Sequence, residues 1–256
     1  MLLAIDIGNT NTTIGIFDDN SIIKKYSIAS DQLKTSDEYG ILVYNLLISG
    51  GELEKIKSVV ISSVVPVLEE TVSIAVLKYL KITPYVISHK SKLPVKTDLD
   101  EPKEAGADRL ANASAAAVLY KLPAIVIDIG TATTFDVIDG NKNFKGGIIA
   151  PGPLIQAKSL SKFTSKLPKL RIEAPKNCIG RNTIDAMLSG IVTGHIKMIE
   201  GMIEACEKEL GEHAQIIGTG GLSNVLFDLM KKDFDYINPD LTLSGLKIIW
   251  ELNREK

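Results

Sequence analysis

The chain has 256 residues, 45% of them hydrophobic and 23% charged, with a formal net charge of −2. That is enough chain for one large domain or two ordinary ones, in a globular composition, and its charge gives no electrostatic reason to bind nucleic acid or an anionic membrane; small molecules or further copies of the chain are the expected partners. Cys178 and Cys206 form no CxxC pair, apolar Met1–Ile5 has no basic segment before it, and no apolar run approaches the ~20 residues of a membrane span, so the expected compartment is the cytoplasm.

Three short Ile-rich segments open the chain: Leu2–Ile7, Thr12–Phe17 and Ser21–Ile28. Gly8-Asn9 and Asp18-Asp19-Asn20 separate them, so they read as an antiparallel meander. Thr35 followed by Glu38 fits a capping box, which predicts a helix up to Gly50 and Gly51. "SVVISSVV" reads as a buried strand, Pro66 opens a helix through about Leu80, and "PYVIS" is a further strand. An Ala-rich helix begins near Gly106. A second meander follows in Ile125–Ile129, Thr134–Ile138 and the stretch around Lys145–Ile149. From Thr183 to about Leu210, Ile184, Leu188, Ile191, His195, Ile199, Met202 and Cys206 recur at helical spacing. "AQIIGTGG" is a strand ending in glycines, and "LSNVLFDLMKK" and "TLSGLKIIWELNRE" are closing helices. No low-complexity linker divides the halves, so they are expected to pack as one body with a cleft between them.

The chain repeats itself. "LLAIDIGNTNTTIGIFDDN" and "PAIVIDIGTATTFDVIDGN" align without gaps, placing Asp6 on Asp128, Gly8 on Gly130 and Thr12 on Thr134. A carboxylate at the end of a core strand is costly unless something neutralises it. The glycine that follows lets the backbone bend, and Asn9, Thr10, Asn11, Thr12 and Thr13 add donors. Together they suit a phosphate cradle in which Asp6 holds a hydrated Mg²⁺. One such turn alone reads more readily as an ordinary hairpin; two matching copies weigh against that. "IIGTGGLSN" is a third piece, where Gly218, Gly220 and Gly221 allow a flat ligand close to the backbone. Neither GxxxxGK[ST] nor GxGxxG occurs, so no P-loop or dinucleotide fingerprint is present. His89, His195 and His213 have no metal-ligand spacing and read as solvated or core residues.

These three pieces resemble the two phosphate motifs and the adenosine motif of the acetate and sugar kinase, Hsp70 and actin superfamily. That resemblance implies an α/β fold of duplicated ribonuclease-H-like domains, 1–122 and 123–256 here, with ATP in the cleft between them. "DIGNTNTTIGIF", "TSDEY", "GADRLANASAA", "DIGTATTFDVI", "GGIIAPG", "GRNTIDAMLSGI" and "LTLSGL" occur in the order found in type III pantothenate kinases. By that resemblance Asp6, Ile7, Gly8, Asn9, Thr10, Asn11, Thr12, Thr13, Thr131, Gly220 and Gly221 bind ATP, and Asp108 is the base that deprotonates the substrate hydroxyl. Gly106, Ala107, Asp108, Arg109 and Thr183 contact pantothenate, and Asp128 binds K⁺ or NH₄⁺. The residues agree: Asp108 stands in the first turn of a helix, where the dipole favours its ionised form, and phosphoryl transfer needs positioning more than a strong base. In isolation Asp108 also reads as a helix-start carboxylate and Thr183 as a local cap. Leu99 stands where the family often has a pocket Tyr, and Ser165 replaces the Ala of its T-A-x-L-P segment.

The implied activity is ATP-dependent phosphorylation of pantothenate, the first step of coenzyme A synthesis, by a homodimer. Its rivals are another small-molecule kinase of the superfamily and a non-catalytic regulatory ATP-binding homologue. The dimer has a motive in the sequence as well. Ala186, Met187, Gly190, Val192, Gly194, Ile196, Met198 and Ile203 lie off the apolar stripe of the long helix, and a helix apolar around most of its circumference needs cover on two sides.

Overall fold

The computed structural model describes residues 1–221, 223–230 and 234–254. Its first meander is β1 (Leu2–Ile7), β2 (Asn11–Asp18) and β3 (Ser21–Ala29). Helix α1 (Ser36–Gly50) starts on the full Thr35–Glu38 capping box and stops at Gly51, whose φ of 79° is the left-handed conformation glycine adopts without strain. Next come β4 (Ser58–Ser63), α2 (Pro66–Leu80) with Pro66 in its first turn, and the two-residue β5 (Tyr85–Val86). Sheet order is β3-β2-β1-β4-β5, with β4 parallel to β1 and to β5.

Alternation along β1 buries both faces of this sheet, as expected of a central strand covered on two sides. Leu3, Ile5 and Ile7 pack with Tyr39, Val43 and Leu47 of α1 and Leu68, Val72 and Val76 of α2. Leu2 and Ala4 pack the other way, with Leu243, Leu246 and Ile249 near the C-terminus and with Ala107 and Ala111.

Before the second meander come β6 (Lys96–Thr97) and the Ala-rich helix α3 (Ala107–Leu119). Strands β7 (Ala124–Ile129), β8 (Ala132–Ile138) and β9 (Asn143–Pro151) form the second meander. Helix α4 (Pro153–Phe163) was not legible in the sequence, because only Pro153 and Ala157 of its residues are buried and they leave no periodic stripe. The helix expected over 183–210 is α5 (Thr183–Leu188), a π turn at Ser189–Thr193, and α6 (Gly194–Leu210). After β10 (Gln215–Thr219) come α7 (Ser223–Leu229), β11 (Tyr236–Ile237) and α8 (Leu241–Asn253). Leu222, Lys231 and Lys232 of the expected "LSNVLFDLMKK" helix, and Glu255 at the chain end, lie outside the described residues.

The second sheet runs β11-β10-β7-β8-β9-β6. Strands β7 to β11 thus repeat the order of β1 to β5, and β6 adds an edge beside β9. Ile125, Ile127, Ile129 and Phe135 meet Val192 and Ile199 from the helical path and Leu226 and Phe227 from α7. Among the described residues, no helix is long and apolar enough to cross a membrane.

By internal contacts, one unit comprises Met1–Pro94, Asp100–Ala115 and Leu241–Lys256, and the other Val95–Leu99 and Ala116–Asp240. Helix α8 therefore belongs with β1 and β4, although it follows the second half in sequence. Gly245 brings it that close: a Cβ there would lie 2.0 Å from the Ala111 carbonyl oxygen. Gly245→Ala should cost about 1–3 kcal/mol or more, the usual penalty for overpacking, as a lowered urea midpoint. An unchanged midpoint would show that α3 and α8 separate freely.

Candidate active site

In the first hairpin, Ile7 faces Thr12 across β1 and β2, leaving Gly8–Asn11 as the loop. Gly8 N–H donates to the Asn11 carbonyl at 3.1 Å. Asn9, Thr10 and Asn11 are exposed, and Asp6 is half-buried. The side chains of Ile7 and Thr12 instead enter the protein: Ile7 is fully buried, and Thr12, 1% exposed, shares a 2.8 Å hydrogen bond with the Ser30 hydroxyl. Only the backbone of Ile7 is therefore available to a ligand.

The Asp6 carboxylate is held by a residue that the sequence reading treated only as part of a buried strand. Ser62 lies beside Asp6 in register across β1 and β4, and its hydroxyl donates to Asp6 Oδ1 at 2.5 Å. Two hydroxyls in the apolar run "SVVISSVV" were the available signal. Just past β4, Val64 N–H donates to the Ile7 carbonyl at 3.1 Å. The Val64 side chain lies beside Gly106, 3.4 Å from where a Cβ would stand. The end of β4 thus brings together the first hairpin and the turn that opens α3.

Within that turn each residue has a separate task. Ala107 is buried with Ala111 against the β1 face, which anchors the helix start. Asp108 Oδ1 accepts the Arg109 N–H at 2.8 Å. A Cβ on Gly106 would lie 2.5 Å from the same oxygen, so glycine is what lets the carboxylate sit there. Burial pushes the Asp108 carboxyl above its ordinary range, against the Arg109 N–H bond and the Arg109 charge. The helix-dipole expectation points the other way and is outweighed, because desolvation penalises the charged form directly.

The second hairpin is one residue shorter than the first. Ile129 faces Thr133 across β7 and β8, leaving Gly130–Ala132 as the loop. Thr133, fully buried like Thr12, is thus the structural counterpart of Thr12. The gapless alignment of Thr12 with Thr134 is corrected here, because strand pairing and not loop length sets the register.

Beside Asp128, Gly220 has a φ of 106°, and a Cβ on it would lie 2.5 Å from Asp128 Oδ1 and 2.6 Å from the Ile129 carbonyl. Glycine is required there on both counts. Gly221 has open space where its Cβ would be. Gly152 N–H donates to the Thr131 carbonyl at 3.1 Å, and a Cβ on Gly152 would lie 2.4 Å from the Gly130 carbonyl. The last glycine of "GGIIAPG" thus seats the hairpin. Leu99 lies on Gly146 of the same motif, 3.3 Å from the position a Cβ would take.

Thr183 is exposed and is not the cap of α5: Asn182 is, its side chain accepting the Asp185 N–H. With Ile155, Gln156, Leu160, Met187 and Gly190, Thr183 lines an apolar groove of about 770 Å³. No cluster of three or more His, Cys, Asp or Glu side chains suited to a metal occurs among the described residues.

A family model described as type III pantothenate kinase matches residues 2–205. A protein of that name from Exiguobacterium sibiricum is 40% identical over 256 residues, spanning 99% of this chain and 100% of its own. The chain belongs to the type III pantothenate kinase family. It is therefore a kinase that uses ATP. Two solved structures bear on the fold of this family member. A Campylobacter jejuni protein assigned to the Baf family of transcriptional activators has a TM-score of 0.61 at 22% identity over 98% of both chains. Component A of the (R)-2-hydroxyglutaryl-CoA dehydratase of Acidaminococcus fermentans has a TM-score of 0.55 at 14% identity over 99% of both. At such identities they establish the fold alone, the duplicated ribonuclease-H-like α/β fold of the actin-like ATPases.

Proposed function

We propose that this chain transfers the γ-phosphoryl group of ATP to the hydroxyl of pantothenate, giving 4′-phosphopantothenate, the first step of coenzyme A biosynthesis. The observation that carries this reading is the end of β4, where the Asp6 hairpin and the Gly106–Arg109 turn meet. A phosphate loop and a candidate base thereby share one neighbourhood of the fold.

The loop from Asp6 to Thr13 supplies donors for the phosphates of ATP, and Thr131, Gly220 and Gly221 contact the nucleotide. Gly106, Ala107, Arg109 and Thr183 bind pantothenate, and Asp108 takes the proton from its hydroxyl as the phosphoryl group arrives. Such transfers pass through a loose transition state, so holding donor and acceptor in line and neutralising charge outweigh base strength. Arg109 contributes charge beside the base.

Two cations fit the donors present. Asp6 offers the one carboxylate with which a hydrated Mg²⁺ is commonly held together with substrate phosphates; Mg²⁺ supplies charge neutralisation when bound. Asp128 lies near the main-chain carbonyl of Ile129 at the Gly220 contact, an all-oxygen set suited to K⁺ or NH₄⁺.

The protein acts in the cytoplasm as a homodimer. Supporting the dimer, Ala186, Gly190, Gly194 and Gly201 follow one another along the exposed side of the α5–α6 path. The three glycines have open space where side chains would stand, a surface that two copies could bring into close contact about a two-fold axis.

Three expected outcomes follow from these roles. Asp108→Asn should keep ATP binding and lower turnover by about 10²–10⁴, the usual worth of general base catalysis. The raised Asp108 pKa puts the acid limb of wild-type kcat/KM above the ordinary Asp value of about 3.9. The same shift costs stability as pH rises from that value through the raised one, because the fold then holds a desolvated charge. The Asn variant should therefore unfold at an equal or higher temperature at neutral pH; near-normal turnover would remove Asp108 from the role of base.

Activity in saturating Mg²⁺ should also depend on K⁺ or NH₄⁺, and Asp128→Ala should abolish the dependence. Equal wild-type rates in Na⁺ and K⁺ buffers would refute the cation role. Finally, Gly190→Leu should weaken dimerisation in sedimentation and raise KM for pantothenate, whereas a fully active wild-type monomer at micromolar concentration would refute the dimer.

A further inference from the structure

Thr133 and Thr12 occupy equivalent buried positions at the feet of the two hairpins, but they are anchored differently. Thr12 is held by the Ser30 hydroxyl just past β3, a link between two groups that can each donate or accept. Thr133 Oγ1 lies 2.9 Å from His195 Nε2, on the first turn of α6 immediately after the π turn. The His195 ring is only 2% exposed, and its Nδ1 lies 2.9 Å from Gln156 Nε2 on α4. That same Gln156 nitrogen lies 2.9 Å from the Pro151 carbonyl at the end of β9.

Hydrogen-bond chemistry fixes the direction of this chain. A carbonyl oxygen only accepts, so the Gln156 group facing Pro151 is its –NH₂. That –NH₂ has two hydrogens: one goes to Pro151 and the other to His195 Nδ1. Nδ1 is therefore an acceptor, the ring is neutral, and its single proton lies on Nε2, where it is donated to Thr133 Oγ1. A doubly protonated ring would set N–H against N–H at Gln156. Burial acts the same way, holding the His195 pKa below its ordinary value.

We propose that His195 is a positioning residue for the phosphoryl transfer: as a neutral Nε2–H donor it fixes Thr133, and through Thr133 the hairpin that presents Thr131 to the nucleotide and Asp128 to the monovalent cation. This rests on the roles assigned above to that hairpin. Its consequence is directional. The geometry of Gly130–Ala132 depends on a donor at the Nε2 position, and not on a histidine as such.

Glutamine and asparagine separate these two requirements, since a Gln amide nitrogen reaches the place of Nε2 and an Asn amide nitrogen only that of Nδ1. Titration with adenylyl imidodiphosphate in Mg²⁺ and K⁺, together with KM for ATP, is the readout. His195→Asn and Thr133→Val should each weaken analogue binding and raise KM for ATP by about tenfold, the scale of one lost buried hydrogen bond. His195→Gln should retain most of the wild-type affinity. The His195→Asn/Thr133→Val double variant should be no worse than either single one, because both break the same bond.

Gln and Asn variants that are equally impaired, or equally unimpaired, would overturn the proposal; so would additive losses in the double variant. Should His195→Asn fail to fold, Thr133→Val and His195→Gln decide the matter between them. A wild type that binds the analogue but does not phosphorylate pantothenate would sink the assigned substrate instead, and the titrations would still judge His195.

Discussion

A carboxylate at the end of a strand buried on both faces cannot be left unmatched, and this constraint organises both halves of the chain. Strands β1 and β7 are apolar and buried almost throughout, and each carries an aspartate one residue before its end. Around Asp6 the fold supplies a hydroxyl, Ser62, placed by the parallel pairing of β1 with β4. Beside Asp128 the parallel pairing of β7 with β10 sets Thr219 at the register position that Ser62 holds beside Asp6, and Gly220 leaves room for the carboxylate. The two halves thus set a hydroxyl residue of the neighbouring parallel strand beside each aspartate.

Divergence after duplication is visible in the hairpins. The two hairpins differ by one loop residue, yet strand pairing keeps a threonine buried at each foot. One is tied to Ser30 just past β3, and the other to a helix. The second arrangement couples hairpin geometry to α4 and α6, and therefore to the groove that Gln156 and Thr183 line. Two hydrogen bonds, Thr133–His195 and His195–Gln156, thereby link the hairpin to the groove lining.

At Asp108 burial works against the charge of the side chain. Its carboxylate is packed against Gly106 and partly desolvated, a placement that disfavours its charged form. Arg109 and the helix start offset part of that cost.

Much of this protein could be read before any coordinates. The capping box at Thr35, the proline opening α2, the glycine ending α1 and the two Asp-x-Gly turns are determined within a few residues of chain, and each was legible as such. The doubling followed from the repeat, because both copies carry the same local instructions, and the kind of fold from the family resemblance of the motifs. What the sequence left undecided is whatever depends on partners distant along the chain. Ser62 matters because β4 lies parallel to β1, and Thr133 is the counterpart of Thr12 because pairing overrides a one-residue loop difference. Helix α8 packs on the first sheet through Leu243, Leu246 and Ile249, and Gly245 admits the Ala111 backbone of α3 beside it. His195 carried the correct signal for a core position but none for its proton, which depends on a glutamine 39 residues away and the carbonyl beyond it. Local propensity determines elements and turns; only tertiary packing decides which side chain neutralises, orients or crowds another, because those energies arise between residues that the sequence does not place side by side.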